Sequence, residues 1–160
     1  MLPFTAVVCA LFLQVAPAPS PTPDFSGRWT LVEPAQPGPK IATQLAVTTA
    51  TEQTKDGPAL AVTVKRTVGR DVQSDTYKVG LVGGIMKPNG TASRIAAGWD
   101  GSTLVLENGT YPMTVSRQGK STEHDERWSI DADGRLVMDV TDRQPDGEPK
   151  TTRLVYRRTK

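Results

Sequence analysis

Short segments rich in Val, Thr, Leu and aromatic residues recur along most of this chain between turn signals, and several alternate cleanly between two faces. Leu60, Val62 and Val64 point one way and Ala61, Thr63 and Lys65 the other. Leu136, Met138 and Val140 oppose Val137, Asp139 and Thr141; Leu104 and Leu106 oppose Thr103, Val105 and Glu107. Near the end, Leu154 and Tyr156 oppose Arg153, Val155 and Arg157. A period of two with one wet and one dry face is the pattern of antiparallel strands covering a core on one side. Asx-Gly pairs at Asp56-Gly57, Asn89-Gly90, Asp100-Gly101, Asn108-Gly109, Asp133-Gly134 and Asp146-Gly147 predict tight hairpins, because these residues tolerate positive φ. Gly69, Gly83-Gly84 and Gly119 predict further breaks.

About ten strands follow, centred near Leu31, Val47, Val62, Tyr77, Ile95, Val105, Val115, Arg127, Val137 and Val155. No segment has helical periodicity, and every link is short, so sequence neighbours pair in space. A meander of about eight to ten strands exposes two edges unless it closes. The expected fold is therefore all-β, an antiparallel up-and-down meander closed into a barrel. An open curled sheet or a two-sheet sandwich is the alternative.

Phe4 to Val15 form an apolar block followed by Ala16-Pro17-Ala18, the core and cleavage site of a secretory signal. The block is shorter than the roughly 20 residues a spanning helix needs. Residues 1–18 are thus expected to be a signal peptide and 19–160 a single barrel domain, with 19–24 a flexible lead-in. Export places the mature protein in the periplasm or outside the cell. Cys9, the only cysteine, lies within the signal, and bulky Val8 before it argues against an acylation site. The mature chain would then have no disulfide, thiolate metal site or Cys nucleophile. Net charge is +2, with a local basic excess at Lys150, Arg153, Arg157, Arg158 and Lys160. A solvated last strand explains it; contact with an anionic surface is the alternative. Nucleic acid is not an expected partner.

The residues offer little catalytic chemistry. His124 is the only histidine. Ser121, His124 and Asp125 name a hydrolytic trio, but strand alternation puts His124 on the face opposite the other two. His124 and Glu126 share a face, which is too few ligands for a metal site. Asp131-Ala132-Asp133-Gly134 resembles part of a calcium loop, yet the position requiring a bidentate Glu is Val140, so it reads as a hairpin turn. No cofactor, metal or enzymatic activity is expected.

The segment Phe25-Ser26-Gly27-Arg28-Trp29-Thr30-Leu31 resembles the first strand of lipocalin-like and fatty-acid-binding-protein-like barrels, and Arg153-Leu154-Val155-Tyr156-Arg157-Arg158 resembles their closing strand. Both segments, with Trp99-Asp100-Gly101 and Arg127-Trp128-Ser129, are also similar to small exported bacterial proteins of acidobacterial type. That likeness implies a fold and a location but no activity. The barrel resemblance implies structural roles for Gly27, letting the chain pass close to a neighbour, and for Trp29, plugging the closed end. It also implies a cation from the last strand, Arg157 or Arg153, stacked over Trp29. Two family features are missing. The Pro-rich stretch Glu33 to Lys40 cannot form the helical lid of fatty-acid-binding proteins. Leu154 stands where their inward Arg-x-Tyr carboxylate clamp has its arginine.

The function expected from these readings is non-enzymatic binding of a small hydrophobic or amphipathic molecule. Tyr77, Trp99, Met113, Trp128 and Tyr156 are the expected apolar lining of the lumen. The alternative is a protein-interaction module, such as an inhibitor of a secreted enzyme or an envelope component. A monomer is expected in either case.

Overall fold

The computed structural model describes residues 22–36, 38–86, 91–112, 122–145 and 147–159. They form ten strands: β1 (Gly27–Glu33), β2 (Gln44–Thr54), β3 (Gly57–Val68), β4 (Asp71–Lys78), β5 (Val82–Met86), β6 (Thr91–Asp100), β7 (Thr103–Pro112), β8 (Thr122–Ile130), β9 (Leu136–Arg143) and β10 (Lys150–Thr159). All named pairings are antiparallel, in the order β4-β3-β2-β1-β10-β9-β8-β7-β6-β5. The first and last strands are neighbours at the middle of the sheet, and β4 and β5 are its two ends. The sheet curls until Val79, just past β4, makes a bridge to Ala97 on β6, while the Gly80 amide donates to the Ala97 carbonyl at 2.8 Å. The result is a nearly closed all-β barrel, as the alternation predicts.

The predicted hairpins meet two outcomes. Gly57, Gly69, Gly101 and Gly134 all take positive φ at strand connections, and Asp131 accepts from the amides of Asp133 and Arg135 to fold the β8–β9 turn. Asn108-Gly109 is not a turn. It lies within β7, where Asn108 pairs with His124 and Gly109 with Glu123. There the pairing with β6 and β8 runs on to Thr110, and that sheet context overrides the local turn preference. Gly83-Gly84 belongs to β5, an end strand with exposed residues that the sequence pattern does not reveal. Asn89-Gly90, Val115 and Gly119 lie outside the described residues, as does residue 146 of the Asp146-Gly147 pair. So do residues 1–21, including the whole expected signal segment.

The dry face is one continuous parity. Odd residues point inward on β1, β2, β4 and β6; even residues do so on β3, β7, β8, β9 and β10. At one end the core is aromatic. Phe25, just before β1, stacks on Trp99 with ring centroids 6.0 Å apart and meets Trp128 edge-on at 5.8 Å. The Trp29 indole N–H donates to the Phe25 carbonyl at 2.9 Å. The segment preceding β1 thus plugs the barrel, and Trp29 fastens the plug.

Gly27 and the cation over Trp29 both differ from what the resemblance implies. A Cβ at Gly27 would stand 3.8 Å from the nearest Arg158 atom, an ordinary contact; the glycine is required by its φ of +128°. The stacked cation is Arg158, 4.7 Å from the ring centroid, not Arg157 or Arg153. Arg158 is the direct partner of Trp29 across β1–β10 and continues the Leu154–Tyr156 parity. Arg157 has the opposite parity and is exposed. Arg153 makes a two-pronged pair with Asp139 on the outer face. Replacing Arg158 with Ala is expected to lower stability by about 0.5–1 kcal/mol through the lost cation–π contact. Arg157→Ala should stay within about 0.5 kcal/mol of the parent in urea unfolding.

Candidate functional site

At the end of the barrel away from the Phe25 plug, the inward parity continues but the residue types change. On β3 the series Leu60, Val62, Val64 is followed by Arg66 before Val68. Inward from Tyr77 on β4 come Asp75 and Gln73; beyond Trp128 on β8 come Glu126 and His124; beyond Val140 on β9 comes Asp142. These side chains converge. The Arg66 guanidinium donates from Nη2 to both Glu126 carboxylate oxygens, at 3.0 and 2.9 Å, and from Nη1 to Asp75 Oδ2 at 2.8 Å. His124 Nε2 lies 3.0 Å from Glu126 Oε1 and its Nδ1 2.7 Å from Asp142 Oδ1. The Trp128 indole N–H donates to Glu126 Oε2 at 2.8 Å.

This network crosses the lumen. β3 and β8 are not neighbours in the sheet; β2, β1, β10 and β9 stand between them. The Arg66–Glu126 contact is therefore a strut between facing walls. It is also buried, with side-chain exposures of 12% and 5%. A charge so placed is costly unless every polar atom is matched. Among the described residues no buried side-chain nitrogen or oxygen lacks a partner.

The electrostatics follow from the contacts. Burial opposes ionisation of Glu126, but the His124 hydrogen bond, the Arg66 charge and the Trp128 N–H outweigh it and hold its pKa below the usual carboxylate value. Burial likewise opposes the charge on Arg66, and Glu126 and Asp75 more than restore it. His124 is raised to about 9, chiefly by its hydrogen bond to Glu126, with Asp142 adding to it against partial burial. At neutral pH it is an imidazolium with both N–H groups directed at carboxylates, so neither nitrogen has a lone pair to offer a metal or a proton. Asp125 is on the opposite face of β8, and Ser121 is outside the described residues. Burial raises the hydroxyl pKa of both Tyr77 and Tyr156.

Beside the strut is a cavity of about 450 Å³. Its apolar wall includes Leu45, Val68, Met138, Val140, Leu154 and Tyr156, and its polar wall Arg66, Asp75, Asn108, His124, Glu126 and Asp142. The loop between β1 and β2 supplies Lys40, Ile41 and Ala42 at the rim. The Tyr156 hydroxyl donates to the Ala42 carbonyl at 3.0 Å, anchoring that loop to β10. Exposed Lys40, Gln73 and Asp142 mark the opening.

Of the residues expected to line the lumen, the structure brings Tyr77 and Tyr156 to this cavity. Trp128 supports it from below by gripping Glu126, but its ring is buried against Phe25 in the closed end. Trp99 also packs there, and Met113 lies outside the described residues. The charged members of the site are not among the expected lining residues, and His124 and Glu126 enter the sequence reading only as a shared face with too few ligands for a metal. A signal for them exists: each extends an apolar parity series by one or two steps. No protein-family model matches the chain, and no curated protein is significantly similar to it.

Glu126→Gln leaves buried Arg66 with only the partly exposed Asp75 as counter-charge, and is expected to cost about 3 kcal/mol in urea unfolding. The double change Arg66→Met with Glu126→Leu should cost less than either single change, because no buried charge is left unpaired. His124 has a folded pKa raised above the unfolded value near 6.5. Its contribution to stability is therefore complete below pH of about 6.5 and is lost as pH rises through about 9. The lone imidazole should titrate near pH 9 by NMR, and His124→Gln should flatten the stability decline over that window.

Proposed function

We propose that this protein is an exported, non-enzymatic binding protein whose ligand is a small amphipathic molecule held in the open half of the barrel. The observation that carries the reading is the cavity of about 450 Å³ with one apolar and one charged wall. Its size lies in the range of small-molecule sites, and its few convergent polar groups on an apolar background are the usual means of orienting a ligand. The wall is preorganised: the strut fixes Arg66, Glu126 and His124, and the Tyr156–Ala42 bond fixes the rim. Holding these groups in place before binding reduces the ordering cost of association. Export rests on the Phe4–Val15 block and the Ala16-Pro17-Ala18 site.

The interaction-module reading has less in its favour. Of the basic C-terminal residues, Arg153 is paired with Asp139, and Arg158 is committed to Trp29 and to the Asp24 carbonyl.

Native mass spectrometry of the protein purified from its own envelope is the direct test. A reproducible added mass of a few hundred daltons, on the scale of a ligand for such a cavity, that organic solvent releases would support the reading. A clean apo mass with no uptake of added amphiphiles would refute it. Thr152 and Val140 face each other across β9–β10 on the inner side. Thr152→Trp should therefore fill the cavity and abolish uptake while leaving a cooperative thermal transition.

A further inference from the structure

The charge inventory of this cavity narrows the ligand class, an argument that rests on the binding reading above. Fatty-acid-type ligands present a carboxylate and need a cation with free donors. The two cations inside the lumen already have carboxylate partners. Arg66 spends Nη2 on both oxygens of Glu126 and Nη1 on Asp75, and His124 has a carboxylate at each nitrogen. Leu154, on the apolar wall, offers no charge. An incoming carboxylate at the strut would have to share Arg66 with Glu126, which is buried and held at four contacts by Arg66, His124 and Trp128. It would also stand beside Asp75 and Asp142.

Those two acids have capacity left. Each is bonded through one oxygen, and neither Asp75 Oδ1 nor Asp142 Oδ2 accepts a hydrogen bond from a described residue. Both line the cavity and are partly open, with side-chain exposures of 43% and 56%. Counting Arg66, His124, Asp75, Glu126 and Asp142, the interior has two cations against three carboxylates, one negative charge in excess. Lys40, the remaining cation of the wall, offsets that excess at the rim, but it stands on the loop between β1 and β2 and not on the strands that carry Asp75 and Asp142. A charge-assisted hydrogen bond from a ligand to a free carboxylate oxygen needs no existing contact to break.

We infer that the cavity selects amphiphiles with a cationic, hydrogen-bond-donating head, such as a protonated amine, and discriminates against carboxylates. The head group lies against Asp75 and Asp142, and the apolar body lies along Val68, Met138, Val140 and Leu154.

The test compares decylamine, decanol and decanoate, probes of equal chain length, by calorimetry at pH 7.5 with the parent protein and with Asp75→Asn and Asp142→Asn. Both aspartates are partly exposed, so each variant is expected to fold, which a thermal melt verifies. The expected result is that the amine binds about tenfold or more tighter than the carboxylate, with the alcohol between, a preference that shrinks with added salt. At least one variant should reduce the amine preference to roughly threefold or less. Uptake of all three probes without preference for the amine, or tighter binding of decanoate, overturns this inference and leaves the binding reading standing. An amine preference that both variants retain in full overturns the assignment to these aspartates. Failure of all three probes to bind overturns the binding reading and this inference together.

Discussion

The lumen of this barrel is organised by one buried ion pair. Arg66 and Glu126 come from strands that do not touch in the sheet, and each has its charge matched by a second partner, Asp75 for the arginine and His124 for the glutamate. A pair of this kind gives little net stability by itself, because desolvation offsets most of the Coulomb attraction. Its effect is geometric. It ties β3 to β8 at one separation, which sets the distance between two walls that no backbone hydrogen bond connects.

The strut also divides the interior by chemistry. On one side, Phe25, Trp29, Trp99 and Trp128 form an aromatic plug whose buried N–H groups are satisfied by the Phe25 carbonyl and by Glu126. Trp128 belongs to both halves: its ring packs in the plug and its N–H reaches into the polar network. On the other side, apolar positions alternate around the wall with charged ones, and space remains. The closed half is tightly packed, and the open half holds the cavity. The seam between the sheet ends lies where β4 gives way to β5, held by the Val79–Ala97 bridge.

Much of the architecture was legible from alternation alone. Nine of the predicted strand centres fall within observed strands. The misreadings have local causes. Asn108-Gly109 has ideal turn chemistry, yet both residues are paired on either side in β7, so cross-strand hydrogen bonding overrode intrinsic preference. β5 has two glycines and shows no alternation because it is an end strand. The resemblance implies Arg157 or Arg153 over Trp29, yet parity continued from Leu154 and Tyr156 puts Arg158 on the inner face opposite it. The site was missed for a related reason. Charged residues on a dry parity look like the end of a strand's buried stretch, and only their convergence shows that they continue it.

What the sequence determined by itself is the period of two, the side of each strand that faces the core, and most of the turns, since all are set by residues within a few positions of one another. That information suffices for an all-β meander and for which residues point inward. What only the tertiary structure decided is which inward residues meet. Arg66 and Glu126 are 60 positions apart, and their contact depends on how far the curled sheet closes and on the stagger between strands. Those quantities sum over every pairing in the barrel, so no local pattern encodes them. The cavity and its charge balance arise at that level.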